Sequence, residues 1–230
     1  MELKQAPAII PALDLPIAEA GELVAKLKDV EDKIAAYKIS SLHAFECGLK
    51  VAVDELRKHT ELPIIYDHQK GCTDIPAITE KQVRLAKKLG VDAFIAVPLG
   101  AGGGTLSAFV NTAKEVEVLP IVLLEMTHSG ANDFLKDDTP KLVFEKASAL
   151  GVKYYVAPGN KPDKLKEYKA MIGDALIMSP GIGVQGGGAE EAVAAGTDYP
   201  IVGGAIYKAD DPVAAVNELY EQAKRGYETR

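Results

Sequence analysis

The densest group of chemically useful side chains lies between residues 67 and 74. Asp67, Lys70 and Asp74 place two carboxylates and one ammonium within eight residues, directly after the apolar run Leu62–Tyr66. An ammonium held near carboxylates can stabilise negative charge that develops in a reaction and can donate a proton. We therefore interpret this segment as a charge array for catalysis, in preference to a purely structural ion network.

Polar side chains also follow or interrupt other apolar runs. Asp14 follows the first run, where a lone aspartate is often only a helix cap. Lys38 lies between Tyr37 and Ile39, so it should be partly buried, and buried lysine is rare unless it is paired. Glu125 ends the fifth run. If these runs are parallel strands of one barrel, their carboxyl ends meet and the side chains share one site.

The elements that would position these residues alternate along the chain. Most of the apolar runs are continuous, which is typical of parallel strands covered on both faces. The predicted strands are Ala8–Leu13, Ala35–Ile39, Leu62–Tyr66, Ala93–Val97, Pro120–Leu124, Tyr154–Ala157, Ala175–Met178 and Ile201–Val202. The predicted helices are Ile17–Val30, His43–Lys58, Pro76–Leu89, Leu106–Lys114, Pro140–Leu150, Asp163–Ile172, Ala189–Ala195 and Pro212–Lys224.

This alternation predicts the fold. Strand–helix units repeat about every 27 residues, close to one βαβ step, and about eight of them predict a (β/α)8 TIM barrel. A doubly wound open sheet is the alternative, but no G-x-G-x-x-G follows the first predicted strand. No linker or low-complexity segment divides the chain, so we expect residues 1–230 to form a single barrel domain.

Composition limits the classes of function. The 230 residues are 47% hydrophobic, which excludes intrinsic disorder. With 26 basic and 33 acidic residues the formal net charge is −7, which argues against a nucleic-acid partner. No signal-peptide core or membrane-spanning run is seen. Only Cys47 and Cys72 are present, which favours a reducing cytoplasm.

Glycine-rich segments follow the fourth and seventh predicted strands. Gly181, Gly183 and 186–188 precede a predicted helix, and backbone N–H groups at such a turn can bind an anion. A merely flexible loop is the alternative. The run from Gly100 to Gly104 has no assigned role. His43, His59, His68 and His128 lack a metal-ligand spacing, so no metal site is predicted.

Several ordered motifs resemble one enzyme family. They are Ala12-Leu13-Asp14, Tyr37-Lys38-Ile39, the array Asp67, Lys70 and Asp74 followed by Ile75-Pro76, Glu125–Ala131, Ser179–Gly187, Val202-Gly203 and Ile206-Tyr207. Together they resemble orotidine 5′-phosphate decarboxylases, in particular divergent archaeal-like members. The resemblance spans roughly residues 8–212, and its most specific piece is Ser179–Gly187.

The resemblance implies removal of CO2 from C6 of orotidine 5′-monophosphate to give UMP in pyrimidine synthesis, without metal or cofactor. Lys70 would be the cation and proton donor, and Asp67 would disfavour the substrate carboxylate. Lys38 and Asp74 would keep Lys70 charged and oriented. By the same resemblance, Asp74 would reach the neighbouring subunit's site, which implies an obligate homodimer.

The resemblance also assigns the substrate-binding residues. Asp14 would bind the ribose hydroxyls and Thr127 the pyrimidine edge. The residues assigned to the phosphate end are Gln185, Gly183, Gly186, Gly203 and Gly204.

Two positions depart from the family pattern. The usual spacing is Asp-x-Lys-x-x-Asp, whereas here each gap between Asp67, Lys70 and Asp74 contains one more residue. Gly204 stands where the family usually has a phosphate-binding arginine, so either the phosphate site is weakened or another group, such as Lys208 or Lys161, substitutes for the arginine.

Two alternative functions remain open from the sequence. One is a related Mg²⁺-dependent sugar-phosphate enzyme, of the hexulose-phosphate synthase or keto-gulonate-phosphate decarboxylase type. Those relatives typically have Glu on the second strand, where this chain has Lys38. The other is a barrel that binds a nucleotide phosphate without catalysing a reaction, an idea that the missing arginine motivates.

Overall fold

The computed structural model describes residues 2–68, 71–97, 104–133, 135–183 and 188–230. Its parallel strands form one sheet in the order β1-β8-β7-β6-β5-β4-β3-β2. Parallel bridges from Ile9 to Ile34 and from Ala12 to Lys38 join the first strand to the second and complete the ring. The strands are β1 Ile10–Pro11, β2 Tyr37–Ser40, β3 Ile64–Asp67, β4 Ala93–Ala96, β5 Leu119–Leu123, β6 Tyr154–Val156, β7 Leu176–Ser179 and β8 Tyr199–Val202.

Helices alternate with these strands and cover the outside of the ring. Short 3₁₀ segments occur at Leu27–Lys33 and Ser129–Asn132. The α-helices are α1 Ile17–Lys26, α2 Ser41–Glu46, α3 Leu49–Arg57, α4 Pro76–Lys88, α5 Thr105–Glu115, α6 Thr139–Ala149, α7 Pro162–Ile172, α8 Ala189–Ala194, α9 Gly204–Tyr207 and α10 Pro212–Glu228. The predicted (β/α)8 barrel is confirmed, and the open doubly wound sheet is wrong.

One predicted helix is divided in the structure. The segment His43–Lys58 was expected to be continuous, but α2 ends at Glu46 and α3 begins at Leu49. Gly48 between them has φ +83°, a left-handed conformation that interrupts a helix and that glycine adopts without steric cost. The prediction was wrong because the apolar spacing continues across this break.

The barrel has an inner and an outer apolar layer. Inside the ring lie Ile10, Ile65 and Met178, while Ile39 and Tyr66 pack outward against the helices. Side chains alternate between the two faces of a strand. Lys38 therefore shares the inner face of β2 with Ser40, and Asp67 shares the inner face of β3 with Ile65.

All eight strands belong to one sheet, which favours the single-domain prediction for residues 1–230. Among the described residues, no helix is both long enough and apolar enough to cross a membrane.

Candidate active site

A lysine between two carboxylates occupies the carboxyl end of the barrel. Lys38 Nζ lies 3.1 Å from Asp67 Oδ2 and 3.8 Å from Asp14 Oδ1. Ser40 pairs with Asp67 in the register of β2 and β3, so Lys38 lies one inward position below Asp67. The Lys38 side chain is only 7% exposed. The structure thus brings together three of the predicted site residues.

The surroundings of Lys38 keep it positively charged. Burial alone would lower its pKa, but the charges of Asp67 and Asp14 and the hydrogen bond to Asp67 outweigh this effect and raise the pKa above its ordinary value. A lysine with a raised pKa gives up its proton less readily. Lys38 is therefore better suited to be a fixed cation than a proton donor.

One buried oxygen next to this lysine, Asp67 Oδ1, has no hydrogen-bond partner among the described residues. A buried carboxylate oxygen without a partner is costly. This end of the barrel therefore leaves an acceptor available for a donor from outside the described residues or from a ligand.

A cleft of about 330 Å³ opens above the charged group. Five predicted site residues line it, namely Asp14, Lys38, Asp67, Gly203 and Gly204. The other lining residues are Ala12, Pro180, Gly181, Ile182, Ile201, Tyr207 and Lys208. The carboxylates lie on the side of β1 and β3, and the glycines and Lys208 lie on the side of β7 and β8, so the cleft has a charged end and a glycine-rich end.

The two lysines considered for the phosphate end differ in their surroundings. Lys208 is exposed and lines the cleft. Lys161 instead forms an ion pair with the buried carboxylate of Glu125, with Nζ 2.6 Å from Oε1. Tyr168 of α7 also donates a hydrogen bond to Glu125. Because Lys161 already neutralises a buried charge, Lys208 is the better candidate for binding a phosphate.

Thr127 lies close to the turn after β7. A Cβ atom on Gly181 would lie 3.1 Å from Thr127 Cγ2 and 3.2 Å from Asn160 Oδ1, and Gly181 has φ +88°. Asn160 Nδ2 also donates a weak hydrogen bond of 3.4 Å to the Thr127 carbonyl. Glycine at 181 therefore lets the loop that carries Thr127 approach the cleft wall closely.

Aromatic contacts position His68 directly after β3. The His68 ring stacks on Tyr66 at 5.1 Å and meets the edge of Phe94 at 5.6 Å, and the Tyr66 hydroxyl lies 2.9 Å from His68 Nδ1. The His68 carbonyl accepts a hydrogen bond of 2.8 Å from the Gly71 amide. A Cβ on Gly71 would lie only 1.4 Å from His68 Cδ2, so this packing requires glycine.

His68 should make the stability of the fold sensitive to acid. Burial lowers its pKa below the ordinary value, although the charge of Asp67 opposes this shift. Below about pH 6.5 the unfolded chain would therefore bind a proton before the folded one, so stability is lost as pH falls through this range. When the pH is lowered from about 7.5 to about 5.5, we expect the melting temperature of His68→Gln to fall less than that of the wild type. Equal changes in the two melting temperatures would contradict a partly buried His68 with a lowered pKa.

The contacts of Asp74 that the structure describes lie outside the Lys38 group. It is exposed, its Oδ1 accepts a hydrogen bond of 2.6 Å from the Ile75 amide, and its carbonyl accepts one of 2.7 Å from Thr105 Oγ1. Within the described part of the chain, no ion pair or hydrogen bond joins Asp74 to Lys38 or Asp67.

Some predicted residues lie outside the described part of the chain. These are Lys70, Gln185, Gly186 and positions 100–103 of the unassigned glycine run. Gly104 directly precedes α5 with φ +96°. Gly183 is described, but it lines a neighbouring cavity with Gly188 and Ala205. Among the described residues, no group of three or more His, Cys, Asp and Glu side chains could hold a metal ion.

Sequence reasoning missed several residues around the cleft. Tyr207 was noted only as part of a motif, and Asn160 was not singled out. His43 was considered only as a metal ligand, yet it is fully buried and hydrogen-bonded to Ser40 and Leu15. The position of His43 three residues after Ser40, at the start of a helix, resembles a capping-box pattern and was the available signal.

The fold and the site together define a (β/α)8-barrel enzyme with a lysine–carboxylate group at one end of its cleft and glycine-rich turns at the other. The chain belongs to the orotidine 5′-phosphate decarboxylase / HUMPS family, whose family model matches residues 7–219.

Named relatives point to the decarboxylase branch of this family. The orotidine 5′-phosphate decarboxylase of Pyrococcus furiosus is 34% identical over 221 residues, covering 94% of this chain and 97% of its own. That of Methanosarcina mazei is 33% identical, covering 91% and 93%. The structure resembles orotidine 5′-monophosphate decarboxylase from Methanocaldococcus jannaschii in complex with the inhibitor BMP. This match has a TM-score of 0.84 and 29% identity, and it covers 95% of this chain and 99% of the other.

Proposed function

We infer that the chain is a carboxy-lyase that converts orotidine 5′-monophosphate to UMP in pyrimidine synthesis. Family membership and the full-length decarboxylase relatives support this function. Within the site, the observation that most supports this function is the buried Lys38 ammonium, which lies between Asp67 and Asp14 at the charged end of the cleft. We propose the following roles for the residues of this site.

Asp67 would act on the departing group. A carboxylate fixed beside the substrate carboxylate raises the energy of the bound substrate, and this repulsion disappears when neutral CO2 leaves. Lys38 supports the role because its contact with Oδ2 holds Asp67 in place. Asp67 Oδ1, which has no hydrogen-bond partner among the described residues, would accept a hydrogen bond from the ammonium of Lys70.

Lys70 would complete the reaction. The bond between C6 and the carboxylate breaks, the electron pair stays on C6, and CO2 leaves. The Lys70 ammonium stabilises this negative charge, then donates its proton to C6 to give UMP and later regains one from water. The raised pKa of Lys38 supports this division of labour, because the fixed cation and the proton donor are then different lysines.

The remaining residues would bind the rest of the nucleotide. Asp14 is partly exposed at the charged end and is suited to accept hydrogen bonds from ribose hydroxyls. Thr127 would contact the pyrimidine edge. Lys208, Gly203 and Gly204 would meet the phosphate at the opposite end of the cleft, together with Gln185 and the backbone donors of Gly183 and Gly186.

Restoring a cation at position 204 should strengthen phosphate binding. An arginine offers a bidentate clamp, and a charged hydrogen bond contributes roughly 1.5–3 kcal/mol, or about one to two decades in affinity. Gly204 begins α9 and is not among the glycines with positive φ, so its backbone accepts a side chain. We expect Gly204→Arg to lower the Kd for UMP by about tenfold or more in calorimetric titration.

Two variants control this experiment. Gly204→Ala removes the glycine without adding charge and should not tighten binding. Lys208→Ala should weaken UMP binding and reduce its salt dependence, because an exposed lysine attracts a phosphate through a screened charge. Unchanged affinity in a folded Gly204→Arg protein would mean that position 204 does not face the phosphate.

A homodimer is also part of the proposal. Leu42 and Phe45 of α2 are 62% and 89% exposed, and Ile75, next to Asp74, is 61% exposed. These apolar side chains follow β2 and β3 at the carboxyl end of the barrel. A second copy that covers them would bury apolar surface and bring its Asp74 towards this site. The two free cysteines are consistent with a cytoplasmic location.

One assay separates this function from the alternatives. The purified chain is incubated with orotidine 5′-monophosphate, and the ultraviolet absorbance of the substrate is followed with and without EDTA. We expect turnover that EDTA does not reduce, because the Lys38 ammonium already lies between the carboxylates of Asp14 and Asp67. Turnover that EDTA abolishes would contradict the metal-free mechanism. Neither turnover nor binding would favour a Mg²⁺-dependent sugar-phosphate enzyme, and binding without turnover would favour a non-catalytic barrel.

A further inference from the structure

His43 connects the second strand–helix unit to the loop that carries Asp14. Its side chain is fully buried in α2. The Ser40 amide donates to His43 Nδ1 at 3.3 Å, and His43 Nε2 lies 3.1 Å from the Leu15 carbonyl oxygen. Both ring nitrogens are therefore engaged by backbone groups of two different strand–helix units, Ser40 at the end of β2 and Leu15 in the loop after β1.

These two contacts define the protonation of the ring. A backbone amide can only donate a hydrogen bond and a carbonyl can only accept one. Nδ1 must therefore accept from Ser40, and Nε2 must carry the hydrogen that it donates to Leu15. The ring is a neutral Nε2–H tautomer that acts as a bridge between Ser40 and Leu15.

Asp14 lies at the centre of the turn that this bridge holds. The Leu15 amide donates to the Leu13 carbonyl at 2.8 Å, so Asp14 is the middle residue of a three-residue turn. The Leu13 amide donates to the Lys38 carbonyl at 2.9 Å. Both neighbours of Asp14 are thus tied to the second unit, Leu13 through the backbone of β2 and Leu15 through His43.

A second side chain on the same face of α2 strengthens this connection. Glu46, one helical turn after His43, accepts hydrogen bonds of 3.2 and 3.3 Å from the Ile17 amide. This amide belongs to the first turn of α1, which has no side-chain cap of its own. The loop from Asp14 to Ile17 is therefore held to α2 at two points.

We propose that His43 is a positioning residue that holds Asp14 at its distance from Lys38 and thereby sets the affinity of the cleft for the ribose. This inference rests on the proposed role of Asp14 in binding ribose hydroxyls. Without the bridge, the Asp14 turn keeps its backbone bonds, the contact of Asp14 with Lys38 and the bond from Ile17 to Glu46, but it loses the hydrogen bond that holds Leu15. The carboxylate then loses its fixed direction, while Lys38 and Asp67 stay in place through their own ion pair.

The test compares three substitutions that retain different halves of the bridge. His43→Leu removes both hydrogen bonds and keeps an apolar side chain of similar size. In His43→Gln the terminal amide can reach the position of Nε2 and donate to Leu15. In His43→Asn the shorter side chain can replace only Nδ1 at Ser40. Tyr155→Phe is the matched control, because it removes a buried hydrogen bond of 3.2 Å to the Val152 carbonyl at the opposite end of the barrel.

We expect His43→Leu and His43→Asn to raise KM and the Kd for UMP by about tenfold, the effect of one lost buried hydrogen bond, with a smaller change in kcat. His43→Gln should restore most of the affinity. In an Asp14→Ala background, His43→Leu should have little further effect, because the residue that it positions is absent. Tyr155→Phe should lower the melting temperature without changing KM.

The outcomes separate this inference from the proposed function. If the wild type turns over substrate but the effects of His43→Leu and Asp14→Ala multiply independently, His43 does not act through Asp14 and the inference is overturned. An equal loss of affinity in the Gln and Asn variants would also overturn it. A folded wild type that neither binds UMP nor releases CO2 would instead refute the proposed function, and the role of Asp14 with it.

Discussion

Lys70→Ala should abolish decarboxylation while the barrel remains folded. The substitution removes both the cation that stabilises charge on C6 and the proton that replaces CO2. The rate should therefore fall well beyond the ~10²–10⁴ typical of losing a general acid alone. The measurement is kcat from substrate absorbance, with circular dichroism and thermal unfolding to verify the fold.

Lys208→Ala is the matched control for this experiment. It removes a lysine from the phosphate end of the same cleft, so it should raise KM with little effect on kcat. If Lys70→Ala retained most of its activity, the proton would come from another group. Lys38 would be the nearest alternative, although its raised pKa makes it a poor donor.

The grouping of Asp14, Lys38 and Asp67 was predictable from the sequence. Continuous apolar runs identified parallel strands, and the carboxyl ends of such strands in a barrel meet at one face. Alternation along each strand then decides which side chains point inward. These rules depend on local pattern and on the repeated strand–helix unit, both of which one sequence contains.

Contacts between distant loops were not predictable in the same way. Lys161 was a candidate phosphate ligand because of its charge, but its partner Glu125 is 36 residues away and becomes apparent only in the folded barrel. The bridge from His43 to Leu15 spans 28 residues. The break at Gly48 was missed for a local reason, because helical spacing of apolar residues continued through a glycine with positive φ.

The exposed position of Asp74 leads to a second large expected effect. In one chain, no described partner links Asp74 to Lys38 or Asp67, and apolar Ile75 beside it is 61% exposed. If Asp74 serves the site of a second copy, Lys70→Ala and Asp74→Ala homodimers should each be inactive. A hybrid of the two contains one site with both residues intact. After subunit exchange in an equal mixture, random pairing should restore about a quarter of the wild-type sites.

The control for this recovery is a mixture in which no hybrid can carry an intact site. Lys70→Ala mixed with a Lys70→Ala/Asp74→Ala double variant forms hybrid dimers in the same proportion, but every site lacks Lys70. This mixture therefore separates a shared active site from any general effect of mixing. Native mass spectrometry of isotope-labelled subunits establishes that exchange has occurred.

Phe45→Asp, which introduces a charge on the exposed face of α2, should prevent association of the subunits and therefore also the recovery of activity. If exchange is complete and activity stays absent, Asp74 acts within its own subunit or outside the chemistry. The exposed apolar side chains around it would then need another explanation.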